Sequence, residues 1–208
     1  MPIVPDGNHF DSSLIYDKPQ IPGALRQCEL LSSVARPTSI DRVDASCVVK
    51  WGIHPFSIVL SQSCDLEQDY LLRERQMNSD MCLACIFLAP LWLASDVRVR
   101  SGADHINTSS WSQLRQNDLS RFHFLEAVPA AADATGVGIP ELVADFKQYF
   151  SLPVLSLYEQ LGGSAAIAAR RTILRSPYLE HFAVRFFAYQ SRIALPRPHA
   201  TEPIPNKR

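Results

Sequence analysis

The chain lacks any apolar run long enough to cross a bilayer. Its longest, Met81 to Ala94, covers fourteen residues and is interrupted by Pro90, so it reads as a buried strand. It also lacks a charge excess: 20 Lys and Arg against 21 Asp and Glu leave a net charge of −1. No global field therefore draws it toward nucleic acid or an anionic membrane. The N-terminus, Met1-Pro2-Ile3-Val4-Pro5-Asp6, has neither a basic start nor an apolar h-region, so a cytoplasmic protein without a membrane partner is expected. The 5 cysteines are odd in number and carry no disulfide framework; reduced thiols are expected. No internal repeat is visible.

What is present is a domain-sized chain of 208 residues with 47% hydrophobic content, enough for one substantial core. Charge is unevenly spread. Residues 170–208 hold eight Lys or Arg against two acids, which suggests a basic C-terminal surface facing an acidic partner, RNA or the protein's own acidic body. Residues 1–24, with Pro2, Pro5, Pro19 and Pro22, are expected to form a flexible arm carrying little core. Residues 25–194 form the domain, and the Pro-rich 195–208 a flexible tail.

Within the domain the pattern is mainly β. Leu25–Ala35, Ala45–Trp51, Pro55–Gln62, Cys82–Leu88, Arg121–Val128, Leu142–Tyr149 and Leu152–Leu157 read as strands, with a turn near Gly52-Ile53-His54. Val128–Ile139 reads as a loop. Asp65–Met77 and Ser110–Gln116 are modest helices. The strongest helix runs from Pro177 to about Ile193, with Ser176 as N-cap and Leu179, Phe182, Ala183, Phe186 and Ile193 on its apolar face. Short strands closed by one amphipathic helix predict a mainly β fold with α: a small barrel or strongly curved sheet.

The most informative stretch is Ser57-Ile58-Val59-Leu60-Ser61-Gln62-Ser63-Cys64-Asp65, where a β-branched run stops at small polar residues and opens into a helix. Unpaired N–H groups and the helix dipole favour negative charge there, which suits a thiolate nucleophile at Cys64 with hydroxyls from Ser61 and Ser63. The structural alternative is that Asp65 caps the helix, with Gln68 three residues on, while Cys64 packs inward. Cys82-Leu83-Ala84-Cys85 has CxxC spacing, but strand geometry would point the thiols to opposite faces, so buried core is expected and no metal.

A family resemblance rests on four strings. Pro55-Phe56-Ser57-Ile58-Val59-Leu60-Ser61 resembles the "RP-x-VVLS" strand of PemK/MazF-like toxins, SH3-barrel ribonucleases of bacterial toxin–antitoxin systems. Ile86-Phe87-Leu88-Ala89-Pro90-Leu91 resembles their next strand, with its "V-x-P" signature. Arg121-Phe122-His123-Phe124-Leu125 stands where an "L-P"-type strand lies, and Leu142–Ser151 is similar to their "V-L-V-D-Q-I-R-S-V" strand. The resemblance covers roughly residues 45–193. It implies an SH3-like small barrel with insertions and a C-terminal amphipathic helix. It further implies RNA binding or endoribonuclease activity without a cofactor, in a toxin–antitoxin or phage-defence setting, with RNA and an antitoxin-like or defence-system protein as partners.

Family catalytic positions differ here. His54 replaces an arginine, Leu91 and Trp92 follow Pro90 in place of a threonine, and Gln148 replaces another arginine, with Lys147 one residue earlier. The chemistry has moved or is lost. In the ribonuclease reading, Cys64, Asp65, His123 and Asp145 form the catalytic groove, with Asp145 or His123 as base. Ser61, His54, Lys147, Arg185 and Arg192 would bind RNA. Arg170, Arg171, Arg175 and His181 could extend a phosphate-binding stripe, although such stripes are more often solvated helix faces. Lys147 and Asp145, two apart on one strand, could simply pair. The competing reading is a non-catalytic barrel that binds a protein or nucleic acid; a third is a thiol enzyme built on Cys64.

Overall fold

The computed structural model describes residues 15–192 except 44, 45, 78, 101–104, 164 and 165. The elements in chain order are β1 (Tyr16–Asp17), β2 (Glu29–Val43), β3 (Ser46–Val59), α1 (Ser63–Glu74), β4 (Cys85–Leu93), α2 (Ala94–Arg98), α3 (Thr108–Arg115), β5 (Phe122–Leu125), β6 (Leu142–Asp145), β7 (Phe150–Pro153), α4 (Val154–Gly162), β8 (Ala169–Leu174) and α5 (Tyr178–Gln190). The strands form one sheet in the order β1-β8-β2-β3-β4-β6-β5, with β7 pairing the first half of β4. The fold is mainly β, a curled half-barrel with a C-terminal helix, as the strand pattern implied.

Period-2 alternation divides the apolar residues between two faces. Leu30 and its cross-strand partner Ile58 join Ala89 and Leu91 in a core closed by Phe182, Phe186 and Tyr189 of α5. Their neighbours Leu31, Val59 and Leu88 face the other way, into a core closed by Leu66 of α1 and Val154 and Leu157 of α4. A third cluster packs Trp111 and Leu114 of α3 on Phe122, Phe124 and Val143.

Several expectations are corrected. Gly52-Ile53-His54 is not a turn: β3 runs unbroken from Ser46 to Val59, and all three residues pair with β2. Gly52 serves packing instead, because a Cβ there would lie 2.7 Å from the Thr38 methyl. Pro55 is tolerated because it has no partner in either ladder: β2 pairs with His54 and with Phe56 but not with Pro55, and β4 pairs with β3 only from Phe56 onward. Leu152–Leu157 is not one strand: β7 ends at Pro153, and Val154, Leu157 and Leu161 make a helical stripe on the second core. The N-terminal arm carries core residues, since Ile15 and Tyr16 are buried and β1 pairs with β8. Its first 14 residues, and the expected tail with Ile193, lie outside the described residues. The N-cap of α1 is Gln62, which leaves Asp65 in the first turn with Gln68 bonded to Met81. In α5 the N-cap is Pro177 rather than Ser176. Among the described residues no helix is long and apolar enough to cross a membrane.

Candidate functional site

The β3-to-α1 turn is held by hydrogen bonds that follow from its small polar residues. Ser61 Oγ accepts the Phe87 N–H at 3.0 Å, and Leu60 N–H donates to the Phe87 carbonyl at 2.8 Å. Ser63 Oγ accepts the Gln27 N–H at 3.0 Å, while the Gln27 side chain donates to the Leu60 carbonyl at 3.1 Å. The serines therefore continue the sheet's hydrogen bonding after the ladder ends.

This turn forms one wall of a cleft of about 560 Å3, whose other walls are the start of β4, the β6–β7 connection and the last turns of α5. Three of its rings, Phe87, Tyr149 and Phe187, keep 46–50% of their surface exposed. Phe186 packs against two of them, with ring centroids 6.0 Å from Tyr149 and 5.4 Å from Phe187, both edge-to-face. The polar groups are Ser61, Gln62, Cys85, Gln190 and Asp65. Asp65 is the one charged residue among those lining the cleft. Gln190 is held by its donation to the Phe146 carbonyl at 2.7 Å.

Of the expected catalytic set, Asp65 faces this cleft and the others stand elsewhere. Cys64 is exposed and lines a separate shallow hollow on α1; its thiol donates to Asp65 Oδ1 at 3.3 Å. His123 is buried and lines a different cavity of about 170 Å3, between β5 and α5, with His181 and Tyr178. Its ring sits 4.8 Å from Phe182 and 5.3 Å from His181. Burial, followed by the nearby Arg185 and His181 charges, pushes the His123 pKa down to about 3, so it is neutral at pH 7. Asp145 is fully buried against Arg121.

The expected binding residues are also dispersed. His54 is buried edge-on to Trp92 at 5.1 Å, and burial lowers its pKa. Lys147 is exposed and gives its backbone N–H, not its ammonium, to Asp145. Arg185 donates to the Leu119 and Phe122 carbonyls at 2.7 and 2.9 Å, tying α5 to the start of β5. Arg192 lies 3.4 Å over the Tyr189 ring. The expected phosphate stripe is structural at two of its positions: Arg170 pairs with buried Glu29 and binds the Gly23 and Ala24 carbonyls, and Arg171 forks onto buried Asp133.

Cys82 and Cys85 are both half-buried rather than core, and Cys85 lines the aromatic cleft. Among the described residues no group of three or more His, Cys, Asp or Glu is placed to hold a metal ion. Sequence reasoning missed Phe87, Tyr149, Phe187 and Gln190. Signals were present: Phe87 sits between inward-facing Ile86 and Leu88, and of the Phe186-Phe187 doublet one ring must turn outward. Comparison of the chain with protein-family models, curated proteins and solved structures gives no match.

Proposed function

We propose that this protein is a non-catalytic, barrel-like binding module whose aromatic cleft holds an apolar segment of a protein partner. The observation that carries this reading is the cleft itself: three half-exposed rings over a packed aromatic floor, with one carboxylate and no cation among the residues that line it. Exposed aromatic surface of this kind marks an interaction site. The fitting ligand is a peptide that inserts a leucine or aromatic side chain against Phe187 and Tyr149. A neighbouring basic residue would meet Asp65, and the peptide amides would meet Gln62 and Gln190. Each inserted side chain contributes about 1.5–3 kcal/mol through burial.

A second reading keeps RNA as the ligand, because exposed rings also stack on unpaired bases. The lack of a cationic residue in the lining favours the peptide, since backbone phosphates supply most nucleic-acid affinity. The endoribonuclease implied by the PemK/MazF-like resemblance is tested by inducible expression in bacteria with total-RNA integrity as readout. The binding reading expects intact RNA. Fragmentation that disappears in an Asp65→Asn variant would replace it with a ribonuclease.

A further inference from the structure

Beyond the root of the half-barrel, β2 and β3 continue as a two-stranded ribbon. β8 pairs with β2 only over Glu29–Ser32, and β4 pairs with β3 only over Phe56–Val59, yet the ribbon's own pairs extend out to Val43↔Ser46. Residues directly opposite share a face. One face carries the pairs Ala35↔Ile53, Pro37↔Trp51, Ile40↔Val49 and Arg42↔Cys47; the other carries Arg36↔Gly52, Ser39↔Lys50 and Asp41↔Val48. The first face is apolar except for Arg42 near its end. The second is polar apart from Gly52 and the exposed Val48, with Lys50 paired to Asp41 at 2.5 Å, and its root packs onto the body through Arg36 over the Phe150 ring and buried His54.

This segregation depends on one extra residue. Pro37 and Ile40 stand three apart, which in a regular strand puts them on opposite faces. A register shift between Pro37 and Ser39 brings both onto the apolar face. Thr38, the residue inserted there, is fixed by its hydroxyl donating to the Lys50 carbonyl at 3.1 Å. Its methyl occupies the space left by Gly52.

Among the described residues nothing covers the apolar face: Ile40 is 70% exposed, Ile53 64%, Trp51 59% and Val49 42%. A two-stranded ribbon alone in water is marginally stable and needs a packed face. At about 150–250 Å2 for a large side chain, these four expose roughly 400 Å2. Stacking two such faces, with Pro37 and Cys47 included, removes roughly 1,000 Å2 from water, the threshold for a specific interface. A cover that must always accompany the chain is most simply another copy of it.

We infer that the protein forms a twofold dimer through this ribbon, the apolar faces of two copies stacked with the axis beside Trp51. Twofold pairing joins the same patch on both subunits, so a face that is apolar along its length is complementary to itself. The stacked ribbons lie about 10 Å apart and within about 30° of one another, as packed sheets do. The aromatic clefts remain open on both bodies.

Sedimentation velocity over a micromolar concentration series tests this on the full chain. Wild type is expected to sediment as a dimer. Trp51→Glu and Trp51→Lys are each expected to weaken association by about 30-fold or more, as loss of a central anchor does. An equimolar mixture of the two restores the dimer across the axis. Phe187→Glu, in the cleft, leaves it intact. Circular dichroism of the Trp51 variants should match wild type, because the ribbon lies outside all three cores. A monomeric wild type, a dimer indifferent to both Trp51 substitutions, or a mixture that stays monomeric would each overturn the inference.

Discussion

Arg121 forks onto Asp145, its Nε–H donating to Oδ1 at 2.9 Å and a terminal N–H to Oδ2 at 2.6 Å. The same carboxylate accepts the Lys147 backbone N–H at 3.1 Å. A group that a sequence reader would nominate as a general base is thereby used to fix the end of β6 against the residue before β5. Replacing Asp145 with alanine leaves a guanidinium without its buried partner, at a cost of about 3 kcal/mol. Urea unfolding is expected to show that loss, with Asp145→Asn losing less because its carbonyl oxygen still accepts.

His123 sets an acid limit on stability. Its folded pKa, about 3, lies below the ordinary value of 6.5. The unfolded chain therefore takes up a proton first as pH falls. Stability contributed by neutral His123 is complete above pH 6.5 and declines down to about pH 3. Between pH 7 and 4 the loss is about 3 kcal/mol by linkage. Chemical unfolding at the two pH values should show it, and His123→Phe should flatten the difference.

Asp133 adds a second, more acidic limit. Arg171 donates to both its oxygens, at 2.8 and 2.7 Å, and Thr135 and the Gly138 N–H add further bonds. Arg171 first, and these neighbours after it, hold the Asp133 carboxyl well below the usual carboxylate range. Its folded pKa is depressed, so its contribution is present above the usual value near 3.8 and is lost as pH falls below it. Arg171→Ala should lower stability at pH 7 by about 3 kcal/mol and remove this acid-dependent component, as urea titrations at pH 7 and 3 would report.

The cysteines should divide by burial rather than single out one nucleophile. Cys47 and Cys64 are exposed, whereas Cys28 is buried and its thiol pushed well up by desolvation. Mass spectrometry after a brief iodoacetamide pulse of the folded Trp51→Glu variant, in which the ribbon face is left open, should find Cys47 and Cys64 modified to similar extents and Cys28 untouched. Rapid labelling of Cys64 alone would revive the thiol-enzyme reading.

The strand pairs at the centre of the sheet were legible because Ile58-Val59-Leu60 is an apolar run between Ser57 and Ser61, and Ile86-Phe87-Leu88 is the bulky centre of the long apolar run Met81–Ala94. α5 was legible through Phe182 and Phe186 at helical spacing. α4 was not: Leu152, Val154 and Leu157 fit either period over so few residues, and only packing against the second core chose the helix. Gly52 looked like a turn because its reason for being glycine, the Thr38 methyl, lies across the ribbon at another point in the sequence. The arginines failed for the same cause. Arg170 and Arg171 read as a basic run, yet their partners Glu29 and Asp133 are 141 and 38 residues away. The start of the candidate site was visible at Ser61–Asp65, but the rings that make it a cleft come from three other segments.

The measurement that most directly tests the central claim is residue-resolved NMR of the labelled protein, titrated in parallel with capped leucine and tryptophan amides and with single nucleotides. The amides should shift the backbone signals of Ser61, Phe87, Tyr149 and Gln190, and Phe187→Glu should abolish that response. Nucleotides should leave those signals in place. Saturable shifts at the same residues with nucleotides and none with the amides would contradict the account and return the cleft to RNA.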